Sequence, residues 1–359
     1  MRTVLHIVPD LGLNGAVRQA SLLAPALGRE GWNVHLVSMG GGGFFTRVFE
    51  RLNVPVHRVG QTRSLDFRPW LELRRLVDEV RPDVIHAWRS PALRFASPLV
   101  RWLGRPPLAA SDVGSGPPRW VDRWMLQQTA AIIVGTEAER SSLMFGGVGE
   151  ERLTTVPLAV GPAPAVDRES FLRELRLPKD AKLIVCAGSI EAGKGFREAV
   201  WVFDILKYVY PQFWLILVGD GLGRVVVEDF ARSVAQDDYR IRFAGARDDI
   251  AGLFGLAEVV WVLGERGGRN VALEAMAAGR PVVGRDRPDL REVLGHVCGG
   301  FLIAHADRHE LARATRRVLD DPTVQQRLSE AGRARAKEFA VDRVARIWIE
   351  LYERLAGNR

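Results

Sequence analysis

At 359 residues the chain is too long for one ordinary core and is read as two domains. Its 47% apolar and 26% charged content excludes a disordered chain, and two cysteines, Cys186 and Cys298, without a C-x-x-C, exclude a disulfide scaffold or zinc knuckle. The formal charge is +7 with only five lysines among fifty basic residues, so the surface is arginine-rich and suits anionic partners; no zinc-finger, RNP-like or basic-heptad pattern accompanies it, so nucleic acid is not expected.

The opening MRTVLHIVPDLG carries an apolar run too short for a signal sequence, and it reads as the first buried strand of a parallel sheet. No run reaches the ~18–20 apolar residues that span a bilayer, and a cytoplasmic protein is expected. Strands are predicted at Val4–Val8, Val34–Val37, Val84–Ala87, Leu108–Ala110 and Ala131–Val134, with helices at Val17–Glu30 and Trp70–Val80 between them. The Pro- and Ala-rich, then charged, stretch Leu158–Pro178 reads as an interdomain linker. Strands resume at Leu183–Ala187, Phe213–Val218, Ile241–Ala244, Val259–Leu263 and Pro281–Val283. Near the end, Val344, Ile347, Leu351 and Leu355 recur at helical spacing. Strands alternating with amphipathic stretches imply two doubly wound α/β domains, whose ligands bind beyond the carboxyl ends of the strands. The histidines form no H-E-x-x-H or similar ligand set, and both cysteines read as small buried apolar residues.

The most informative stretch is Gly264–Gly284, GERGGRNVALEAMAAGRPVVG. A glycine-broken loop leads into a short helix starting near Asn270, a plausible N-cap, and Gly279 and Pro281 end that helix before a Val–Val strand. A loop feeding a helix N-terminus aims backbone N–H groups at an anion. Glu274, about one turn in, places a carboxylate where it can accept two hydroxyl protons. An anion cradle beside a diol acceptor is what a sugar nucleotide requires.

NVALEAMAAGRPVV resembles the donor-site segment of the family 4 retaining glycosyltransferases, which have the GT-B fold. There the segment runs E-G-F-P-N-V-L-L-E-A-M-A-x-G-x-P-V-V; the second glutamate binds the ribose and the first contacts the transferred sugar. Glu274 falls on the second position. Arg266 occupies the first, and Glu265 is adjacent. The resemblance runs along most of the chain. Asn14–Gly15–Ala16–Val17–Arg18 is similar to the family's G-G-A-E-R loop, where small residues admit a diphosphate and Arg18 adds charge. RPDVIHAW resembles K-P-D-V-V-H-x-H: His86 matches the first histidine and Trp88 replaces the second. In PLAASDVGSGP, Val113 stands where the family carries a histidine near the reacting sugar, and Asp112 beside it is the candidate for a polar role.

Further on, Thr136 stands for the family's serine, and Leu158–Ala159 for its Asn–Gly. VCAGSIEAGKGFREAV resembles V-G-R-L-x-x-x-K-G, in which the arginine and lysine grip the donor diphosphate. Lys194 and Gly195 match, but Ser189 replaces the arginine; Arg197, Arg266 and Arg269 are the candidates to compensate. Gly219–Asp220–Gly221 resembles the turn that borders the base.

The resemblance implies a GT-B fold, two Rossmann-like domains facing a central cleft: residues 1–163 on the acceptor side, 164–340 binding the nucleotide-sugar donor, and 341–359 a helix crossing back to the first domain. It implies retaining transfer of a hexosyl group from a nucleotide-diphosphate sugar to a hydroxyl acceptor (glycolipid, polysaccharide or small molecule). The expected catalytic residues are Glu265, Asp112 and His86. The expected donor-binding residues are Gly15, Arg18, Lys194, Arg197, Arg266, Gly267, Asn270, Val271 and Glu274. No metal or other cofactor is expected, since there is no D-x-D and no clustered ligand set. The arginine-rich surface suits peripheral contact with an anionic membrane at its inner face. Because Ser189, Arg266 and Val113 all depart from the family pattern, the alternative is a catalytically inactive relative acting as a nucleotide-binding scaffold or regulator. A nonhydrolysing sugar-nucleotide epimerase shares the broad fold but lacks support in these motifs.

Overall fold

The structure is a computed structural model and describes residues 2–60, 67–104, 106–114, 120–235, 239–295, 300–304 and 307–357. The chain divides into two compact units, residues 1–159 with 341–359, and residues 160–340. The division falls four residues before the boundary set from sequence.

The first unit contains β1 (Arg2–Val8), β2 (Trp32–Ser38), β3 (Val56–Arg58), β4 (Val84–Trp88), β5 (Leu108–Ser111), β6 (Ala131–Val134) and β7 (Leu153–Thr155). They form one parallel sheet in the order β3-β2-β1-β4-β5-β6-β7. The strands read as near-continuous apolar runs because helices cover both faces of the sheet. On one face, Val4, Leu36 and Val84 pack with the helices Gly15–Arg29 and Val341–Gly357. On the other, Leu5, Ile85 and Ile132 pack with the helices Arg68–Val80, Arg89–Leu103 and Glu137–Phe145. The last helix buries Val344, Leu351 and Leu355 as the apolar spacing requires, and Trp348 and Tyr352 with them.

The second unit contains β8 (Lys182–Ala187), β9 (Phe213–Val218), β10 (Ile241–Gly245), β11 (Ala257–Val262), β12 (Val282–Arg285) and β13 (Gly300–Ile303). Their order is β10-β9-β8-β11-β12-β13, again all parallel. In each sheet the winding reverses beside the first strand, between β1 and β4 and between β8 and β11. Such a reversal opens a crevice at the strands' carboxyl ends.

The ten predicted strands all form. The three unpredicted ones, β3, β7 and β13, are short, and β3 is only partly buried. The predicted linker is not wholly irregular, because Arg168–Glu174 is helical, capped by Asp167 accepting from the Ser170 amide at 2.8 Å. Cys186 is buried on β8, and burial pushes its thiol up to about 12, which makes it unreactive. Cys298 lies outside the described residues.

Candidate functional site

Two loops leave the second sheet at its reversal point. The first follows β8 and runs from Gly188 to Gly195 into the helix Phe196–Val209. The second follows β11 and runs from Leu263 to Gly268 into the helix Arg269–Ala277. They are laced together. The Glu265 amide donates to the Gly193 carbonyl at 2.8 Å, and Lys194 Nζ donates to the Arg266 carbonyl at 3.3 Å. Gly195 makes the approach possible: its φ is +81°, and a Cβ there would lie 2.4 Å from Leu263 Cβ. The turn Gly219–Asp220–Gly221 closes on the first loop, with the Ile190 amide donating to the Asp220 carbonyl at 3.0 Å.

The helix Arg269–Ala277 is capped by Gly268 at φ +83°, without a side-chain cap bond. This corrects the reading of Asn270 as N-cap: Asn270 lies within the first turn, followed by Val271. First-turn amides have no acceptor within their own helix, and the dipole adds partial positive charge at that end. Glu274 lies on this helix and is only 4% exposed. Gly279, at φ +71°, ends the helix, with the Arg280 amide reaching back to the Ala275 carbonyl at 2.9 Å.

Two arginines not anticipated from sequence complete the arrangement. Arg287 Nη2 donates to the Gly267 carbonyl at 2.6 Å, which braces the glycine loop. Arg287 and Arg269 share Asp289, at 3.6 and 3.9 Å. Arg285 reaches Glu265 at 3.4 Å. Burial lowers the Arg287 pKa; Asp289 opposes this, and the positive charges of Arg269 and Arg285 add to the lowering. A bound anion would relieve that crowding. Glu265, Arg285, Asp286, Arg287 and Ala304 line an open cavity of about 420 Å³. The two arginines stand in GRDRPD at the end of β12, and their place beside the reversal point is the signal that could have found them.

Among the expected donor residues, Lys194, Arg266, Gly267, Asn270, Val271 and Glu274 thus lie on the two interlocked loops and the helix they feed. Arg197 is exposed, and its guanidinium stacks over Phe230 at 4.5 Å. The expectation that it compensates for Ser189 therefore meets a side chain already packed on a ring.

In the first unit, Asn14 caps the helix that begins at Gly15, accepting from the Val17 amide at 3.0 Å. Arg18 lies on the first turn of this helix, at the carboxyl end of β1. Asp112 follows β5 and is exposed in the left-handed region at φ +52°, a conformation aspartate tolerates. His86 is a correction. It is 0% exposed, and both ring nitrogens are occupied, Nδ1 by the Tyr352 hydroxyl at 2.7 Å and Nε2 by Ser111 Oγ at 2.8 Å. Burial, helped by His6, holds its pKa well below the ordinary value. It is a neutral core residue and cannot reach a substrate.

The family model described as "Glycosyl transferases group 1" matches residues 167–335, and "Glycosyltransferase Family 4" matches residues 13–163. The chain is 33% identical over 251 residues to the 2-deoxystreptamine glucosyltransferase of Streptomyces kanamyceticus, a match covering 66% of this chain and 64% of that one. It is 27% identical over 361 residues to the lipopolysaccharide core biosynthesis glycosyltransferase LpsD of Rhizobium meliloti, covering 100% of this chain and 96% of the relative. Among solved structures, Anabaena HepE in complex with UDP and glucose superposes with a TM-score of 0.81 at 19% identity, covering 97% of this chain and 98% of the other.

Proposed function

The chain is a glycosyltransferase of the group 1/family 4 type with the GT-B fold, and from that premise we propose that it moves a hexosyl group from a nucleoside diphosphate sugar to a hydroxyl acceptor with retained anomeric configuration. The observation that carries the reading is the interlocking of the Lys194 loop with the Glu265–Gly268 loop at the reversal point of the second sheet. In this reading Glu274 accepts from the ribose hydroxyls. Lys194 and the first-turn amides of the helix Arg269–Ala277 take the diphosphate, with Arg266 and Arg269 supplying the charge lost at Ser189. Glu265, tethered by Arg285, faces the transferred sugar in place of the family's first glutamate. From the resemblance alone, Gly15 and Arg18 are assigned to the diphosphate and Asp112 to the sugar or acceptor.

Catalysis in this reading is electrostatic. Fixed positive groups stabilise the diphosphate as the bond to the sugar breaks, and a departing phosphate oxygen takes the acceptor's proton, without a metal. The donor is a UDP-hexose in keeping with the glucosyltransferase relative and the UDP-bound HepE. A panel of UDP-hexoses and hydroxyl acceptors, followed by NMR of the products, tests this. Acceptor-dependent release of UDP with an unchanged anomer is expected. An inverted anomer, or no turnover by a protein that binds nucleotide, would count against it.

A further inference from the structure

The helix Phe196–Val209 buries one side in the core of the second unit and turns the other to water. Its outward side is apolar: Trp201, Ile205, Tyr208 and Val209 are between 38% and 74% exposed. Spacings of four and three residues from Trp201 to Ile205 and Tyr208 make these one stripe along the helix. Val226 and Phe230, on the neighbouring helix Arg224–Ala235, widen it: Val226 is exposed, and the Phe230 ring lies 6.2 Å from that of Trp201. Single exposed apolar residues are ordinary, but a continuous stripe is not. It presents on the order of 600 Å² of apolar surface, the upper end of what a monomer leaves in water.

The charges around the stripe balance. The helix Phe196–Val209 holds Arg197 and Lys207 against Glu198 and Asp204, and Arg224–Ala235 holds Arg224 and Arg232 against Glu228 and Asp229. The bordering helix Arg308–Asp320 has four arginines against Glu310 and Asp320, but Arg317 lies over Phe301 at 4.9 Å and Arg316 pairs with Asp320 at 3.5 Å. Such a face has no strong pull on a polyanion, and an apolar centre with a mixed polar rim suits a protein surface. The stripe is also symmetric along its helix. Trp201 stands four residues before Ile205, and Tyr208 and Val209 stand three and four after it. Arg308 lies over Trp201 at 4.1 Å, and Asp320 accepts from the Tyr210 hydroxyl, so a base flanks one end of the stripe and an acid the other.

We infer that two copies of the chain associate through this face, about a two-fold axis at Ile205 that sets their Phe196–Val209 helices antiparallel. Trp201 of each copy then packs on Tyr208 and Val209 of the other, and Arg308 of each meets Asp320 of the other. A stripe symmetric about its midpoint, with opposite charges at its two ends, is complementary to itself in that arrangement, which is what a closed dimer requires. The antiparallel pairing also sets the helix dipoles head to tail. With the charged rim included, the covered area approaches the ~800 Å² per partner of a standard interface. The inference does not depend on the donor reading, because association is measured without nucleotide.

The test is sedimentation velocity of the full chain over a concentration series. A reversible dimer at micromolar concentration is expected. Ile205→Lys sets two like charges at the axis and should weaken association by roughly tenfold or more, as should Trp201→Ser with Tyr208→Ser. Arg308→Asp and Asp320→Arg should each weaken it, and the two together should restore much of the loss, because the exchange leaves each facing pair opposite in sign. Ile205→Cys should cross-link two copies on mild oxidation, since the axis brings that position against itself. All these side chains are exposed, so circular dichroism should be unchanged. A chain that stays monomeric throughout the series would overturn the inference. So would a dimer that Ile205→Lys and the Trp201 and Tyr208 double variant leave intact, or one that Ile205→Cys does not cross-link, since either would place the contact on another face.

Discussion

Arg287 shows how one side chain sets the shape of the proposed cradle. Its 2.6 Å bond to the Gly267 carbonyl fixes a loop whose glycines could otherwise turn elsewhere. Arg287→Ala removes a charged hydrogen bond of about 1.5–3 kcal/mol, so nucleotide affinity should fall about tenfold or more, measured by titration. Unchanged affinity would mean the loop is held without it. Gly195 makes a steric prediction. Gly195→Ala places a side chain at φ +81° and against Leu263, so a loss of about 2 kcal/mol or more in denaturant unfolding is expected, together with loss of nucleotide binding. Wild-type stability in that variant would show that the two loops do not meet as described. The placing of Glu274 and Lys194 on adjoining loop–helix units was legible because their neighbours spell a recognisable string. The packing of Arg197 on Phe230 was not legible, because spacing places it one turn after Lys194 but is silent about that ring.

At the scale of elements, the helix Val341–Gly357 completes the core of the first unit. Its Tyr352 meets His86 across 266 residues of sequence, and His6 accepts from Trp88 Nε1 at 2.9 Å in the same cluster. No local pattern at RPDVIHAW announces that partner, which is why a strand-end histidine resembled a catalyst. Tyr352→Phe deprives a buried ring nitrogen of its partner and should cost about 1–3 kcal/mol in denaturant unfolding. Burial lowers the His6 pKa from 6.5 to about 3 and that of His86 well below 6.5. The unfolded chain therefore takes up protons that the folded one refuses. The stability tied to these two groups is whole above about 6.5 and drains as pH falls towards 3, by up to about 1.4 kcal/mol per pH unit for each. Unfolding midpoints between pH 7.5 and 4.5 should fall on the acid side, and less steeply for His86→Gln; parallel profiles would refute the assignment. Strands were legible where apolar runs are long, as in Phe213–Val218. They were missed where three or four residues at a sheet's edge carry little pattern, as in Val56–Arg58.

For the whole molecule, two doubly wound units follow from repeated strand–helix alternation, and each sheet reverses its winding once. The proposed donor site gathers at one of those reversals although Lys194 and Glu274 lie on separate loop–helix units. In the proposed reading the retained lysine and glutamate, the glycine cradle and the clustered arginines hold the nucleoside diphosphate. Ser189 stands where the resemblance implies a diphosphate arginine, whereas Arg266 and Val113 stand where it implies contacts to the transferred sugar. Binding is therefore the more direct question than turnover. The decisive measurement is calorimetric titration of the chain with UDP, GDP and ADP, beside Glu274→Ala. The account predicts that UDP binds and that Glu274→Ala abolishes the heat of binding; no binding by a well-folded sample, or binding that survives Glu274→Ala unchanged, would contradict it.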